Sequence, residues 1–404
     1  MPPDANDRTY RHAREADVAA MTRVMTLSFA GSADLTERWL HEHDIATVRL
    51  LEHAGSILGC ARRVPMGLFV GGRRVAMEGV CGVCVAPEAR GKGVARDIMT
   101  RFVRELHDDG VPIATLYPST QALYRQIGFE QAGSRFLASV PLARLPQGSK
   151  SRSVVPLTEA DLPRLEPIAR DFARRFGGIE RGRYLWKRVF RLRDKVYNGF
   201  GVLDASGALG GYLFLHLEKH EASGRLDVLL SDLAFSSVEH ARSLLAFLAD
   251  YEPMGRNVVF AAGPCHPVLS LLDQQRYETS LNYCWMLRIV RLKEALESRG
   301  YPSCVRGDLL LDARDDVLPA NERLWRLRIE GGTGRVEEAG KNEAVGGLEI
   351  PRLRLDVRGL AAIYTGFWTP RQAALAGWCE GDEAAFDLAG TAFAQGAPWM
   401  IDQF

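Results

Sequence analysis

The residues best placed to do chemistry are Arg90, Gly91, Lys92, Gly93, Val94, Ala95 and Arg96. They follow a β-branched run of Val80, Val83 and Val85 closed by Pro87, and they lead into a stretch where Ile98, Phe102 and Leu106 recur at helical spacing. A strand, a glycine-containing turn and a helix N-terminus in that order concentrate unpaired amides where the helix macrodipole is positive. Gly91 and Gly93 let main chain approach a bulky anion, so the stretch reads as a pyrophosphate cradle. Its spacing is neither Gly-x-x-x-x-Gly-Lys-Ser/Thr nor Gly-x-Gly-x-x-Gly, which sets aside the two common nucleotide loops.

What stands here is Arg90-x-x-Gly93-x-Ala95 after a valine-rich strand, and it resembles the acetyl-CoA loop of the GCN5-related N-acetyltransferases (GNAT), Arg/Gln-x-x-Gly-x-Gly/Ala. A second motif runs from Leu123 and Tyr124 to Gly128, Phe129 and Glu130, and is similar to the family's Leu-Tyr-x-x-x-Gly-Phe-Glu. The resemblance implies acetyl-CoA as co-substrate, no metal, and direct transfer of acetyl to an amine. In such a transfer the amine attacks a thioester and a thiolate leaves. The conjugate acid of that thiolate has a reference pKa near 8.5, so a phenol of pKa about 10 can give it a proton, and Tyr124 fits the role of general acid. The family's sheet splits beside the strand before the loop. The resemblance therefore assigns the pantetheine arm to Val83, Cys84 and Val85 as an added strand, the phosphates to the loop, and the rest of the cradle to Ser119 and Thr120.

The elements that must position these residues read as α+β. Spacing predicts helices over 13–29 and 35–43, strands over 47–52, 56–64, 66–70, 73–77 and 80–85 with a hairpin at Gly71 and Gly72, a strand over 113–117 and a short helix over 120–127. This defines a catalytic domain, 1–146, ended by a small, polar linker over 145–152. The next stretch repeats the first. An offset of 148 lays Leu123, Gln126 and Glu130 on Leu271, Gln274 and Glu278, but it lays Tyr124 on Leu272 and finds no phosphate loop, so 147–288 is expected to be a degenerate, non-catalytic GNAT-like domain. The remainder, 289–404, mixes strands and short helices, and its segment 353–373 resembles sterol-carrier-protein-2-type domains. Length alone, 404 residues, calls for two or three domains.

With 51 basic and 50 acidic residues, the composition gives no electrostatic reason to expect nucleic acid or a charged membrane as partner. Apolar runs are too short to span a bilayer and the N-terminus lacks a signal pattern, so a cytoplasmic protein is expected. Seven cysteines suit reducing conditions. Cys81 and Cys84, at odd spacing on one strand, should face opposite ways and make no zinc half-site.

These domains in this order resemble the enhanced intracellular survival (Eis) acetyltransferases. Their hallmark is an apolar C-terminus, and this chain ends Trp399, Met400, Ile401, Asp402, Gln403, Phe404. Burying Phe404 carries its α-carboxylate inward, which is costly unless the group has work or a counter-ion. The resemblance makes that carboxylate the general base, with Glu78 as the alternative. It forms the acceptor site partly from the first two helices, through Phe29, Glu37 and Trp39 with Asp34 and Glu42 near, which suits an aminoglycoside-like polyamine or a lysine side chain. Gln403, where the family's pocket has a carboxylate, weakens the case for broad aminoglycoside activity. A homo-oligomer is implied too, hexameric in many Eis proteins. A lipid-binding carrier and a non-catalytic acetyl-CoA sensor are the competing readings.

Overall fold

The computed structural model describes residues 7–147, 153–221, 223–340, 344–345 and 348–404. Positions 148–152 of the expected linker, and 1–6 of the N-terminus, lie outside them. The first unit comprises β1 (Thr9–His12), α1 (Val18–Phe29), α2 (Ala33–Glu42), β2 (Val48–His53), β3 (Ser56–Val70), β4 (Arg73–Val85), α3 (Val94–Asp108), β5 (Ile113–Leu116), α4 (Gln121–Arg125) and β6 (Glu130–Pro141). The second comprises β7 (Val154–Leu157), α5 (Leu162–Phe176), β8 (Ile179–Glu180), α6 (Arg183–Phe190), a small ribbon of β9 (Arg191–Leu192) and β10 (Lys195–Val196), β11 (Asn198–Leu203), β12 (Leu209–Lys219), β13 (Leu226–Phe235), α7 (Val238–Ala249), β14 (Gly255–Ala262) and β15 (Glu278–Ile289).

Apart from the ribbon, these strands form one 13-stranded sheet, ordered β1-β2-β3-β4-β5-β15-β6-β14-β13-β12-β11-β7, with β8 beside β3. The last strand of each unit has crossed into the other. β15 lies between β5 and β6, pairing antiparallel with both, and β6 pairs on its far side with β14. The offset of 148 carries Glu130–Pro141 onto Glu278–Ile289, so the exchanged strands are equivalent segments of the repeat.

Two runs expected as strand pairs are continuous. β3 and β4 are long arms of a single hairpin turning at Gly71 and Gly72. Their register slips opposite Gly82, where β4 bulges. The bulge also corrects the expectation for the two cysteines. It absorbs one residue, so Cys84 stands opposite Cys60, with sulfurs 3.0 Å apart, while Cys81 stands opposite Arg62, two residues along β3 from Cys60. Odd spacing no longer means opposite faces. Among the described residues no three His, Cys, Asp or Glu side chains converge on a metal site.

The third unit opens with α8 (Leu292–Ser298) and β16 (Gly307–Arg314). β16 is the middle strand of a five-stranded sheet completed by Thr333–Glu338, Leu324–Glu330, Arg352–Asp356 and Cys379–Gly381. Helix α9 (Val357–Tyr364) packs on β6 and β15, and one core runs from Val64, Met66 and Trp285 of the large sheet through Tyr364 of α9 to Leu311 and Leu353 of the small one. A buried ion pair ties the two sheets: Arg288 of β15 donates to Asp315 at 2.6 and 2.8 Å, and Asp315 also accepts from the Val317 and Leu318 amides and Asn321 Nδ2. With its oxygens satisfied, the pair escapes the penalty of a buried unpartnered charge. Gly128 is fixed by the same contact, since a Cβ there would lie 2.8 Å from the Arg288 guanidinium carbon. No described helix is long and apolar enough to cross a membrane.

Candidate active site

The turn before α3 has the geometry an anion needs. Gly91 and Gly93 both take φ of 73°, and Gly93 is the N-cap of α3 without any side chain accepting from the first-turn amides. The N–H groups of Val94, Ala95 and Arg96 are thus left for a ligand. A Cβ on Gly91 or Gly93 would meet no protein atom within 4 Å, so the glycines are demanded by backbone conformation and leave the approach open. Arg90, Lys92 and Arg96 are exposed around it. Arg8, which has no sequence signature, braces the loop from beneath: its guanidinium donates to the Lys92 carbonyl at 2.9 Å and pairs with Asp97 at 3.4 Å. Gly93→Ala is expected to lower stability by about 1 kcal/mol through its left-handed backbone. The added methyl should also weaken acetyl-CoA binding about tenfold, because it projects only into the ligand's space. Calorimetry checks this, and unchanged affinity in the folded variant removes Gly93 from the donor site.

β4 and β5 run parallel only from Met77 to Gly79 against Ile113 to Thr115. Beyond Gly79 the strands part, and among the described residues the β5-facing main chain of Val83, Cys84 and Val85 has no strand partner, which is the opening an extended amide-bearing arm would fill. Ser119 and Thr120 are exposed at the start of α4, and the Thr120 hydroxyl caps nothing in the helix. Tyr124 follows one turn later. It is 4% exposed, edge-on to Phe129 at 6.0 Å, and burial without a hydrogen-bond partner pushes its pKa up to about 12. It belongs to the core that includes Ile98 and Phe102 of α3.

The C-terminus reaches the same fork from the opposite face. Phe404 stacks edge-on to Tyr117 at 5.5 Å and lies over Gly79, where a Cβ would be 2.8 Å from its ring. Only a residue without a side chain leaves that space. The tail is clamped on the way: the Ser134 amide donates to the Pro398 carbonyl, Trp399 packs over Gly263 and against His266, Arg135 donates to the Ile401 carbonyl at 2.9 Å, Tyr117 to the Asp402 carbonyl at 2.7 Å and Arg188 to the Gln403 carbonyl at 3.1 Å. Arg181, held by Asp232, pairs with the Asp402 side chain at 2.8 Å. These contacts engage carbonyls and the Asp402 side chain, not the Phe404 carboxylate. Glu78 points away from Phe404. It pairs with Arg63 at 3.1 Å in a cluster with Glu105 and Asp109, and burial raises its pKa against the pull of Arg63.

On α2 the candidate acceptor residues separate. Trp39 turns inward against the bulge, 3.2 Å from where a Gly82 Cβ would stand, and donates to the Tyr184 hydroxyl at 3.2 Å. Glu37, two positions earlier and so on the other side of the helix, is exposed near His41, and Asp34, Glu42 and Phe29 are exposed as well. The charged group beside Trp39 is instead Arg62, buried, with its guanidinium 3.8 Å over the indole and its Nε and Nη2 without hydrogen-bond acceptors. The structure brings Trp39, Gly82 and Tyr184 together and leaves Phe29 and Glu37 on the surface.

The second unit repeats the strand-turn-helix path without the site. Ser237 caps α7 by accepting from the His240 amide, and the segment equivalent to α4 is a 3-10 turn, Pro267–Leu271, with Leu272 after it. The family model for an acetyltransferase (GNAT) domain matches residues 9–132, a second acetyltransferase (GNAT) domain model matches 177–289, and a sterol carrier protein domain model matches 292–401. An uncharacterized N-acetyltransferase of Streptomyces avermitilis is 27% identical over 316 residues, 73% of each chain. A GCN5-related N-acetyltransferase from Anabaena variabilis is 29% identical and superposes with a TM-score of 0.91, covering 98% of this chain and 100% of its own. Eis1 from Mycobacterium abscessus, 19% identical with a TM-score of 0.79 over 98% and 100% of the two chains, shares the fold. The chain is an acyltransferase with two GNAT acetyltransferase domains followed by a sterol carrier protein domain.

Proposed function

We propose that the enzyme works in the manner of the Eis acetyltransferases, moving acetyl from acetyl-CoA directly to an amine of a small molecule, such as an aminoglycoside-like polyamine, or to a lysine side chain. The observation that carries this reading is the seat of Phe404 on Gly79, at the fork of β4 and β5. Acetyl-CoA supplies the activated acetyl group as a thioester. The Phe404 carboxylate takes the proton from the attacking amine on one face of the sheet, and Tyr124 gives its hydroxyl proton to the departing sulfur from the other. Because the two faces communicate only where the strands part, the acid and base serve one reaction only if the thioester lies in that opening. Residues 90–96 with Ser119 and Thr120 hold the phosphates, and Trp39 walls the acceptor side. Assembly as a homo-oligomer, hexameric by the same likeness, belongs to this reading and is checked by light scattering.

A thiol-release screen with acetyl-CoA against lysine peptides, aminoglycosides, polyamines and simple amino acids tests the reading. Turnover with one class identifies the acceptor. Tight acetyl-CoA binding with no thiol release from any amine would overturn transfer and leave a donor sensor.

A further inference from the structure

A cavity of about 570 Å³ opens between the cradle and the sterol carrier domain. One wall is Arg96, in the first turn of α3, and Arg125, next to Tyr124; the other is Arg314, Arg354, Arg358 and Trp378 of the third domain. Two domains thus converge arginines on one space, a costly arrangement unless anions answer them. Most are answered internally. Arg125 pairs with Glu130 at 2.8 Å and Arg358 with Asp356 at 2.6 Å, and Arg354 reaches Asp312 at 3.3 Å and Glu380 at 3.5 Å. The wall carboxylate Asp315 is taken up by Arg288, and Asp316 faces the cavity from the surface. Arg96 and Arg314, both exposed, have no carboxylate partner among the described residues, and they stand on opposite walls.

We propose that the sterol carrier domain forms the second wall of the donor site, with Arg314 pairing the 3′-phosphate of the coenzyme A adenosine. This rests on the reading of residues 91–96 as the pyrophosphate cradle. Arg96 links the two places: its amide is in the cradle and its side chain lines the cavity. The ribose that carries the 3′-phosphate is bonded directly to the pyrophosphate, so a pyrophosphate at the α3 N-terminus puts the phosphate monoester within reach of the neighbouring space. Arginine suits that group, since its planar fork meets two phosphate oxygens at once. The indole of Trp378 has two guanidinium groups near its ring, Arg125 at 5.6 Å and Arg358 at 5.3 Å, so the wall offers cations to a phosphate. The third domain then does two things for catalysis: it sends the C-terminus to the acceptor side and completes the donor side.

The test is calorimetry of the full-length protein with CoA and with dephospho-CoA, which lacks only the 3′-phosphate, on wild type, Arg314→Ala and Arg314→Lys. Wild type should bind CoA about tenfold tighter than dephospho-CoA, the scale of one charge-assisted contact. Arg314→Ala should lose most of that preference while its dephospho-CoA affinity stays as in wild type, and Arg314→Lys should recover part of it. Inorganic phosphate, added as competitor, should weaken CoA more than dephospho-CoA in wild type. A wild type that binds both ligands equally, or a preference undiminished in Arg314→Ala, overturns the inference while the cradle stands. A wild type that binds neither overturns the cradle and the inference together. Should Arg314→Ala fail to fold, the wild-type comparison of the two ligands decides.

Discussion

Tyr124→Phe is expected to lower turnover about 10²-fold or more while leaving acetyl-CoA affinity nearly unchanged, as for the loss of a general acid that contributes little to ground-state binding. The hydroxyl is the only atom removed, and the described protein offers it no hydrogen-bond partner, so the variant should fold and melt as wild type does. In the proposed mechanism its work is confined to the reaction. Burial pushes its pKa up to about 12, which keeps the phenol protonated throughout the usual assay range. A raised pKa favours the neutral, proton-bearing form, so the acid is ready below that value and is lost only as pH climbs through it. The rate profile should therefore show no descending limb from Tyr124 under about pH 11. Leu272→Ala, at the equivalent place in the second domain, should change turnover far less. Equal losses in the two variants, with folding intact, would mean that the active and silent copies had been exchanged.

The backbone geometry of the proposed donor side was legible in the sequence because it is local. A loop of seven residues and a short helix carry their own geometry, and the turn before α3 needs only its two glycines and a helix N-terminus to exist. The repeat was legible for a related reason: strands β6 and β15 stand 148 residues apart with the same length, and the offset that found Glu278 opposite Glu130 found the strand. That the two strands change places was not legible. Pairing between segments so distant leaves no periodicity in either.

The acceptor side shows the same limit at the scale of one helix turn. Glu37 and Trp39 are neighbours in the sequence, but a helix turns each residue by about 100°, so an inward Trp39 forces Glu37 outward. Arg62 was invisible as a site residue because a lone arginine in a strand reads as a solvated position, and only the fold buries it beneath Trp39. The tail divides between the two cases. Its apolar composition announced burial, whereas Arg135, Arg181 and Arg188 came from three places in the chain and became a clamp only in the folded protein.

Extending the chain beyond Phe404 is expected to reduce turnover about 10³-fold, because it converts the proposed base into a neutral amide carbonyl, a larger loss than the 10² to 10⁴ range would set at its lower end for a proton-transfer group. A free α-carboxylate has a reference pKa of about 3.3 to 3.7, so it is ionised at neutral pH and can accept a proton, though so weak a base must be closely aligned with the amine. The clamp supplies the alignment. Arg135, Tyr117 and Arg188 grip the carbonyls of Ile401, Asp402 and Gln403, and Arg181 grips the Asp402 side chain, all groups that an extension leaves chemically intact. The ring of Phe404 can therefore keep its seat on Gly79 while the charge is removed. Amidating the terminus separates charge from bulk, since it adds almost no volume; it should depress turnover as far as a short extension does. An N-terminal tag of the same length should have no effect. Retained activity in a folded, C-terminally extended protein would exclude the terminal carboxylate and turn the search to Glu78, which would first have to leave Arg63 and reach across the sheet. In that outcome Glu78→Gln, and not the extension, would abolish thiol release.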